Sequence, residues 1–416
     1  MQSFKNVRFL LFVSFLVLIT STFAGAETLK WWTGTWNEKP AKELISEFEE
    51  QNPEVKIEPA FIPWEGMNEK YLVALRGGTA PDIMCIAVGW VYEWAKPGLL
   101  IPLDQYIEES NTDFADWMAG AWNTAVVDSS VYSIPYRSDC YCLFYNKDLF
   151  EKIGLNPEQP PQNWNEYLEH AIALTSESEK VYGSGIISAG EPLNLNARVL
   201  PFVYQNSGSV VNENRTKAAI NEKPAVDAIK WVTDLYTKHH VEPPSNIQNN
   251  ADEVFELFKN GAVAMCMGAP YNIPLAKEAG VNLGTALLPA NPDTGRRDVE
   301  MGGWNLAITK YSSIPGTAFK FIDFLVQPDN MARLTNALPA RNAAFGSKYI
   351  NADFINDPLY KAPIEQLNYG FLLMVPYQQQ IKVIIAEEIQ HILIGNKDPQ
   401  QAMDDAARRI DEVLNR

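Results

Sequence analysis

Apolar positions along this chain switch repeatedly between a two-residue and a three-to-four-residue spacing, and the switches mark its elements. Thr28 to Thr33 (TLKWWT) reads as a strand, and the polar run Gly34 to Glu38 leads into an amphipathic helix over 41–51. That helix places Leu44, Ile45 and Phe48 on one face and stops at Asn52-Pro53. Val55 to Ile62 returns as a strand, so the first unit is βαβ, with a right-handed crossover into a parallel pair. Trp64-Glu65 opens onto a helix over 67–75 closed by Gly77-Gly78. TAPDIMCIA then feeds a buried strand with Gly89-Trp90 at its carboxyl end. Ligands collect beyond the carboxyl ends of strands in open α/β sheets, which puts Trp36, Trp64 and Trp90 in comparable, cleft-facing places.

The pattern breaks at 131–146, VYSIPYRSDCYCLFYN. Pro135 excludes helix at Ile134 and is expected to discourage regular structure there. From Tyr141 an aromatic strand runs to Asn146, followed by helix-like KDLFEKIG. Arg137, Ser138 and Asp139 fall between the halves, where a crossing from one α/β lobe into another would face side chains into a cleft. Further on, helices are expected over 162–175, 194–208, 223–239 and 251–260, with strands over 181–188 and 262–267. NLGTALLP, 282–289, looks like a second crossing. A Pro-, Asp- and Gly-rich loop over 290–298 leads to a strand over 301–309 and a helix over 314–326, and Leu338-Pro-Ala-Arg341 is the third candidate crossing. Helices over 381–394 and 399–414 close the chain. A length of 416 residues exceeds one ordinary core, and two domains follow: 27–135 with 290–337, and 138–288 with 341–416.

The first 26 residues read differently. Lys5 and Arg8 precede an apolar run from Phe9 to Ile19, and Ala24-Gly25-Ala26 supplies a small-residue cleavage pattern, so residues 1–26 are expected to be a secretory signal peptide. The apolar run is short for a membrane anchor. No Cys follows it to accept a lipid, and an exported soluble chain retained by an outer membrane implies the periplasm. The formal charge of −17 becomes more negative by two when Lys5 and Arg8 leave, a field that repels nucleic acid and anionic lipid. Export permits disulfides, but a core of this size does not require them, and Cys85, Cys140, Cys142 and Cys266 read as buried thiols. A bond from Cys140 or Cys142 to Cys266 is the alternative. The scattered His170, His239, His240 and His391 give no zinc spacing, and neither metal nor cofactor is expected.

Eleven tryptophans exceed what two cores need. Trp31 alternates within a strand and Trp231 lies in an amphipathic helix, so both read as packing. Trp36, Trp64, Trp90, Tyr271 and Trp304 instead follow strands or flank glycines, offering flat apolar faces to a ligand that has such faces itself. A pyranose does, with a rim of hydroxyls that needs forked donors and acceptors. Asn37, Glu38, Glu65, Asp82, Arg137, Asp139, Asn305 and Arg341 supply both. Asp82, after Pro81, also suits capping of local backbone N–H groups, and Gly302-Gly303 suits close approach of a ligand or of a neighbouring strand. A secreted glycoside hydrolase would need two carboxylates about 5–10 Å apart, one with a raised pKa, and no local motif demands it. A metal hydrolase lacks HExxH.

The ordered motifs WWTGTWNE, FEEQNPEVKIE, GGTAPDIMCIAVGWVYEWAKPGLLIPLD, YSIPYRSDCYCLFYNKDLFEKIGL, FKNGAVAMCMGAPYNIP and GGWNLAIT with AFKFIDFL resemble the family 1 bacterial extracellular solute-binding proteins. These are receptors of carbohydrate ABC importers, related to the maltose-binding protein. The resemblance implies a two-lobe, type II-like periplasmic binding protein fold with three interdomain crossovers and hinge closure on a sugar. It also implies a monomer that delivers the sugar to transmembrane permease subunits, with no chemistry of its own. By the same resemblance Trp36, Asn37, Glu38, Trp64, Glu65, Trp90, Asp139, Tyr271, Gly302, Gly303 and Trp304 match the family's sugar-facing segments. Arg341 lies near the third crossing, and Tyr377 stands where relatives often carry a stacking aromatic. Ile86 and Trp90 depart from the maltose-binding pattern, so the resemblance extends to a saccharide and not to maltose in particular. Receptors for glycerol phosphate, polyamine or iron are the alternatives within this class.

Overall fold

The computed structural model describes residues 26–335 and 337–416, so the expected signal peptide, apart from Ala26, lies outside the described residues. Strand β1 (Glu27–Gly34), helix α1 (Glu38–Gln51) and strand β2 (Val55–Ile62) form the expected βαβ unit, with β1 and β2 parallel and Glu27 opposite Val55. Asn52 ends α1 by donating its side-chain amide to Phe48 O at 2.8 Å. Helix α2 (Met67–Gly77) ends on Gly78 at φ +72°, a left-handed position that glycine fills without Cβ strain. Strand β3 (Ile83–Ala87) pairs parallel with β1, and the short helix α3 (Val91–Ala95) follows it. Trp31 packs edge-on to Phe321 at 5.3 Å, and Phe48 meets the same ring at 4.9 Å, so the strand, α1 and the helix over 315–325 share one core.

Strand β4 (Ile134–Cys140) carries the first crossing. The expectation that Pro135 would discourage regular structure does not hold, because the ladder bulges where the proline sits and strand continues through it. Arg137 pairs with Trp304 and Pro135 with Asn305, and the register shifts between them. The bulge leaves Tyr136 without a partner on β9, next to Pro135, whose lack of an N–H this irregular stretch of ladder accommodates. Beyond β4, strand β5 (Cys142–Asn146) enters a second sheet. This sheet adds helix α4 (Trp164–Leu174), strand β6 (Tyr182–Gly185) and helices α5 (Pro192–Gln205), α6 (Lys223–Thr237) and α7 (Ala251–Lys259). Strands β7 (Val263–Gly268) and β8 (Leu283–Ala286) complete it, in the order β8-β5-β7-β6. Trp231 stacks on Trp164 at 4.6 Å in the second core. Asn250 and Glu253 cap α7 reciprocally.

Two expected boundaries shift. Residues 283–286 are an edge strand of the second sheet rather than a crossing. The loop over 290–298 then docks on α4 and α5, where Ala290 O accepts from Trp164 N at 3.0 Å and Thr294 Oγ1 donates to Gln205 O at 2.6 Å. The chain returns only with strand β9 (Val299–Ile308), antiparallel to both β4 and β3. Helix α8 (Pro315–Leu325) follows, and strand β10 (Leu338–Pro339) lies along β4 on its other side. The first sheet therefore reads β10-β4-β9-β3-β1-β2, with the three crossing strands adjacent. Residues 341–347, expected on the second lobe, hold to the first: Asn342 donates to Asp116 O at 2.8 Å and Ser347 to Asp329 at 2.6 Å. Helices α9 (Gln378–Leu393) and α10 (Pro399–Leu414) pack on each other, and α9 is tied to α5 by the Asn196 amide donating to Lys382 O at 2.7 Å.

Cys85, Cys140, Cys142 and Cys266 are buried free thiols. Burial pushes Cys85 up to about 11 and Cys266 up to about 12.

Candidate functional site

A cleft of roughly 350 Å³ opens between the two sheets. On the first-sheet side it is lined by Trp64, the turn over 87–90 after β3, and Glu300, Met301 and Gly302 at the start of β9. On the opposite side lie Tyr141, the first turns of α5 (Leu193, Asn194, Ala197) and the first turns of α9 (Gln378, Gln379, Lys382). Glu191 presents α5 to the cleft by accepting from the N–H groups of Leu193 at 3.0 Å and Asn194 at 2.7 Å, with Pro192 beginning the helix.

Four of the tryptophans singled out in the sequence converge here. Trp64 and Trp90 lie with planes only 3° apart and centroids 5.9 Å apart. Trp304 meets both edge-on, at 5.7 and 6.0 Å, and Trp36 closes on Trp304 at 4.5 Å. Trp90 is buried, whereas Trp64 is 54 % exposed and presents its ring to the cleft. The two glycines of β9 divide the roles that the sequence left open. Gly303, at φ +130°, would bring a Cβ to 2.3 Å from Arg137 O, so it serves strand approach. Gly302 lines the cleft, and a Cβ there would come into ordinary contact with Asp139 Cβ at 3.5 Å.

The polar groups near the cleft come as ion pairs with one oxygen left over. Arg137 binds Asp139 Oδ2 at 3.0 Å, and Asp139 Oδ1 is buried without a hydrogen-bond partner. Lys382 pairs with Glu300, whose Oε2 is likewise buried and unpartnered. These two oxygens and the indole donor Trp36 Nε1 have no hydrogen-bond partner among the described residues, a state shared by core atoms such as Trp31 Nε1 and Tyr71 OH. Tyr271 is half-exposed, and burial pushes its phenol well up, with the charges of Arg198 and Asp139 within reach of it. Across the seam, Glu93 of α3 accepts from the backbone N–H groups of Gln378 and Gln379, and burial holds its carboxyl above the usual range.

Other residues expected at the site are placed elsewhere. Asn37 is buried and donates to Thr33 Oγ1 at 3.0 Å and to Tyr136 OH at 2.8 Å, which fixes the turn beneath Trp36. Asp82 accepts from Lys30 N at 2.9 Å and from Ser312 Oγ at 2.6 Å, so it ties β1 to the segment after β9 and neither faces the cleft nor caps local N–H groups. Asn305 is buried, donating to Ser133 Oγ at 2.9 Å. Glu38 is exposed and pairs with Lys42, and Glu65 is exposed beside Trp64. Tyr377 lines a neighbouring depression with Leu72, Arg76 and Trp94. Arg341 is buried against Asp116 at 2.8 Å, Val326 O at 3.1 Å and the Trp117 ring. Arg341→Ala is expected to lower unfolding free energy by about 2–3 kcal/mol, read by denaturant titration, and to leave ligand affinity unchanged. The sequence reading missed Glu300, Gln378, Gln379 and Lys382, which no local pattern brings together. It also missed Tyr141, which sits inside the stretch it singled out.

Residues 34–332 match the profile of the bacterial extracellular solute-binding proteins. The chain belongs to this family. Among its relatives, the sn-glycerol-3-phosphate-binding periplasmic protein UgpB of Salmonella paratyphi A is 29% identical over 419 residues, spanning 94% of this chain and 93% of UgpB. The sugar-binding protein MalE of Xanthomonas citri superposes with a TM-score of 0.81 at 25% identity, covering 93% of this chain and 97% of MalE. An ABC transporter solute-binding protein of Thermotoga lettingae TMO, bound with alpha-D-tagatose, gives a TM-score of 0.75 at 27% identity, covering 94% of this chain and all of the other. This solute-binding protein thus shares the two-lobe architecture of those receptors.

Proposed function

We propose that this solute-binding protein is the periplasmic receptor of an ABC importer, capturing a mono- or oligosaccharide between its lobes and handing it to transmembrane permease subunits. The observation that supports the reading is the Trp36, Trp64, Trp90 and Trp304 group at a cleft lined by Trp64, Trp90 and Glu300, with Asp139 packed beside the cleft-lining Gly302. Ring faces take the C–H face of a pyranose, and paired carboxylates take its hydroxyls. Lobe boundaries at 134–140 and 299–301, with a third beyond 347, go with this reading. Ligand that binds the closed arrangement better than the open one shifts the hinge equilibrium toward closure. The protein binds as a monomer and releases its guest chemically unchanged.

The identity to UgpB favours one second reading, a polyol phosphate as the guest. A panel of mono- and oligosaccharides and sn-glycerol 3-phosphate, followed by tryptophan fluorescence and melting temperature, separates the two. A sugar-dependent rise in melting temperature without sugar cleavage is the expected result. Response to the phosphate alone transfers the assignment, and hydrolysis of any sugar overturns the receptor reading.

A further inference from the structure

Arg198 stands behind the cleft wall in a setting that the protein does not compensate. It is 3 % exposed and lies on α5 between the cleft-lining residues Asn194 and Ala197 and the core. Its guanidinium is stacked 4.5 Å from the centre of the Tyr141 ring, which itself lines the cleft. Nη1 makes one long bond, 3.4 Å, to Asn194 O, and Nε is buried with no hydrogen-bond partner. Among the described residues no carboxylate comes within ion-pairing distance of it. The two other cations at the cleft, Arg137 and Lys382, each have one.

A buried guanidinium without an ion-paired carboxylate is costly, and among the described residues its contacts are one ring face and one long bond, with Nε left without a partner. Its donors form a planar fork suited to a two-oxygen acceptor. We infer that the captured saccharide or polyol carries an oxyanion, a carboxylate or a phosphate, and that Arg198, beside Tyr141 and near Tyr271, is the residue that reads it. This rests on the receptor reading above and narrows its ligand class. The tryptophan group holds the apolar face of the guest, and Arg198 selects its charged end.

The test compares ligands of the same skeleton with and without the anion: glucuronate-containing sugars against their glucose counterparts, and sn-glycerol 3-phosphate against glycerol. Titration calorimetry of the wild type is expected to show a preference of about 100-fold for the anionic member of at least one pair. The carboxylate and phosphate arms tell the two sources apart. Arg198→Met, which keeps the length of the side chain, is expected to lose that preference by about 100-fold while binding neutral sugars within about 3-fold of wild type. Arg198→Lys retains the charge without the fork and should keep part of the preference. If the wild type binds neutral sugars as tightly as the acids, or if Arg198→Met weakens both members equally, Arg198 only supports Tyr141 and the inference fails while the receptor reading stands. Silence toward every sugar and polyol, charged or neutral, overturns both.

Discussion

Trp64→Ala weakens ligand capture by about 30-fold or more and leaves the melting temperature of the unliganded protein within a few degrees of wild type. The side chain stands on the loop after β2, more than half exposed, and its ring lines the cleft parallel to that of Trp90. Truncation therefore removes an apolar face from the ligand and little from the core. Exposed positions away from capping or pairing roles cost only a few tenths of a kcal/mol, whereas a large aromatic at the centre of a binding surface typically costs about 2 kcal/mol or more. Trp304→Ala behaves differently. Trp304 touches Trp36, Trp64 and Trp90 together, so its loss lowers affinity and stability at once. Calorimetry and thermal melts of the two variants side by side make the distinction, and a Trp64 variant that unfolds would place that ring in the core instead.

The largest loss of stability is expected at Glu242, inside the core of the second lobe. This carboxylate is buried, and among the described residues no cation is ion-paired with it. Its Oε1 accepts from Ser184 Oγ and from Ile186 N at 2.8 Å, and its Oε2 accepts from Ile187 N at 3.3 Å and from Asn246 Nδ2 at 2.8 Å. It thereby holds the end of β6 to the segment after α6. Glu242→Ala orphans four donors and opens a void, and about 3–5 kcal/mol is expected to be lost in denaturant titration. Burial raises the Glu242 carboxyl above 4.5, the hydrogen bonds opposing but not reversing it. A raised folded-state pKa means that the folded protein binds the proton more tightly. The stabilising contribution is therefore full below the unfolded value and falls as pH rises through the folded one. Glu242→Gln removes this slope and turns an N–H group toward existing donors. Its deficit against wild type should be larger near pH 4.5 than at pH 8. A deficit that grows with pH would contradict the assigned direction.

Much of the frame was legible because local signals and tertiary pairing agree. The Leu44, Ile45 and Phe48 face, the stop at Asn52 and the turn at Gly78 all stand where spacing put them. The first crossing was legible as polar Arg137, Ser138 and Asp139 between apolar runs. Its strand character was not, because the bulge that accommodates Pro135 is made by residues some 170 positions away. The loop over 290–298 was misplaced for a similar reason: its turn-rich composition says loop, but only Trp164 and Gln205 decide which lobe it docks on. At the site, aromatic residues that follow strands were readable from position alone. Asp82, Asn305 and Arg341 were not, since a polar side chain at or beside a strand looks the same whether it meets a ligand or Ser312, Ser133 or Asp116. Lys382 and Glu300 could not be paired in advance, being 82 residues apart.

The adjacency of β10, β4 and β9 bears on how the molecule moves. Segments joined edge to edge by backbone hydrogen bonds flex as one leaf, so the lobes share a single bending direction instead of drifting about three separate tethers. Such a leaf twists without any rung parting. What resists opening includes the Arg215–Asp128 ion pair at 3.2 Å between the lobes, and a change there retunes how often an empty receptor gapes without touching the cleft lining.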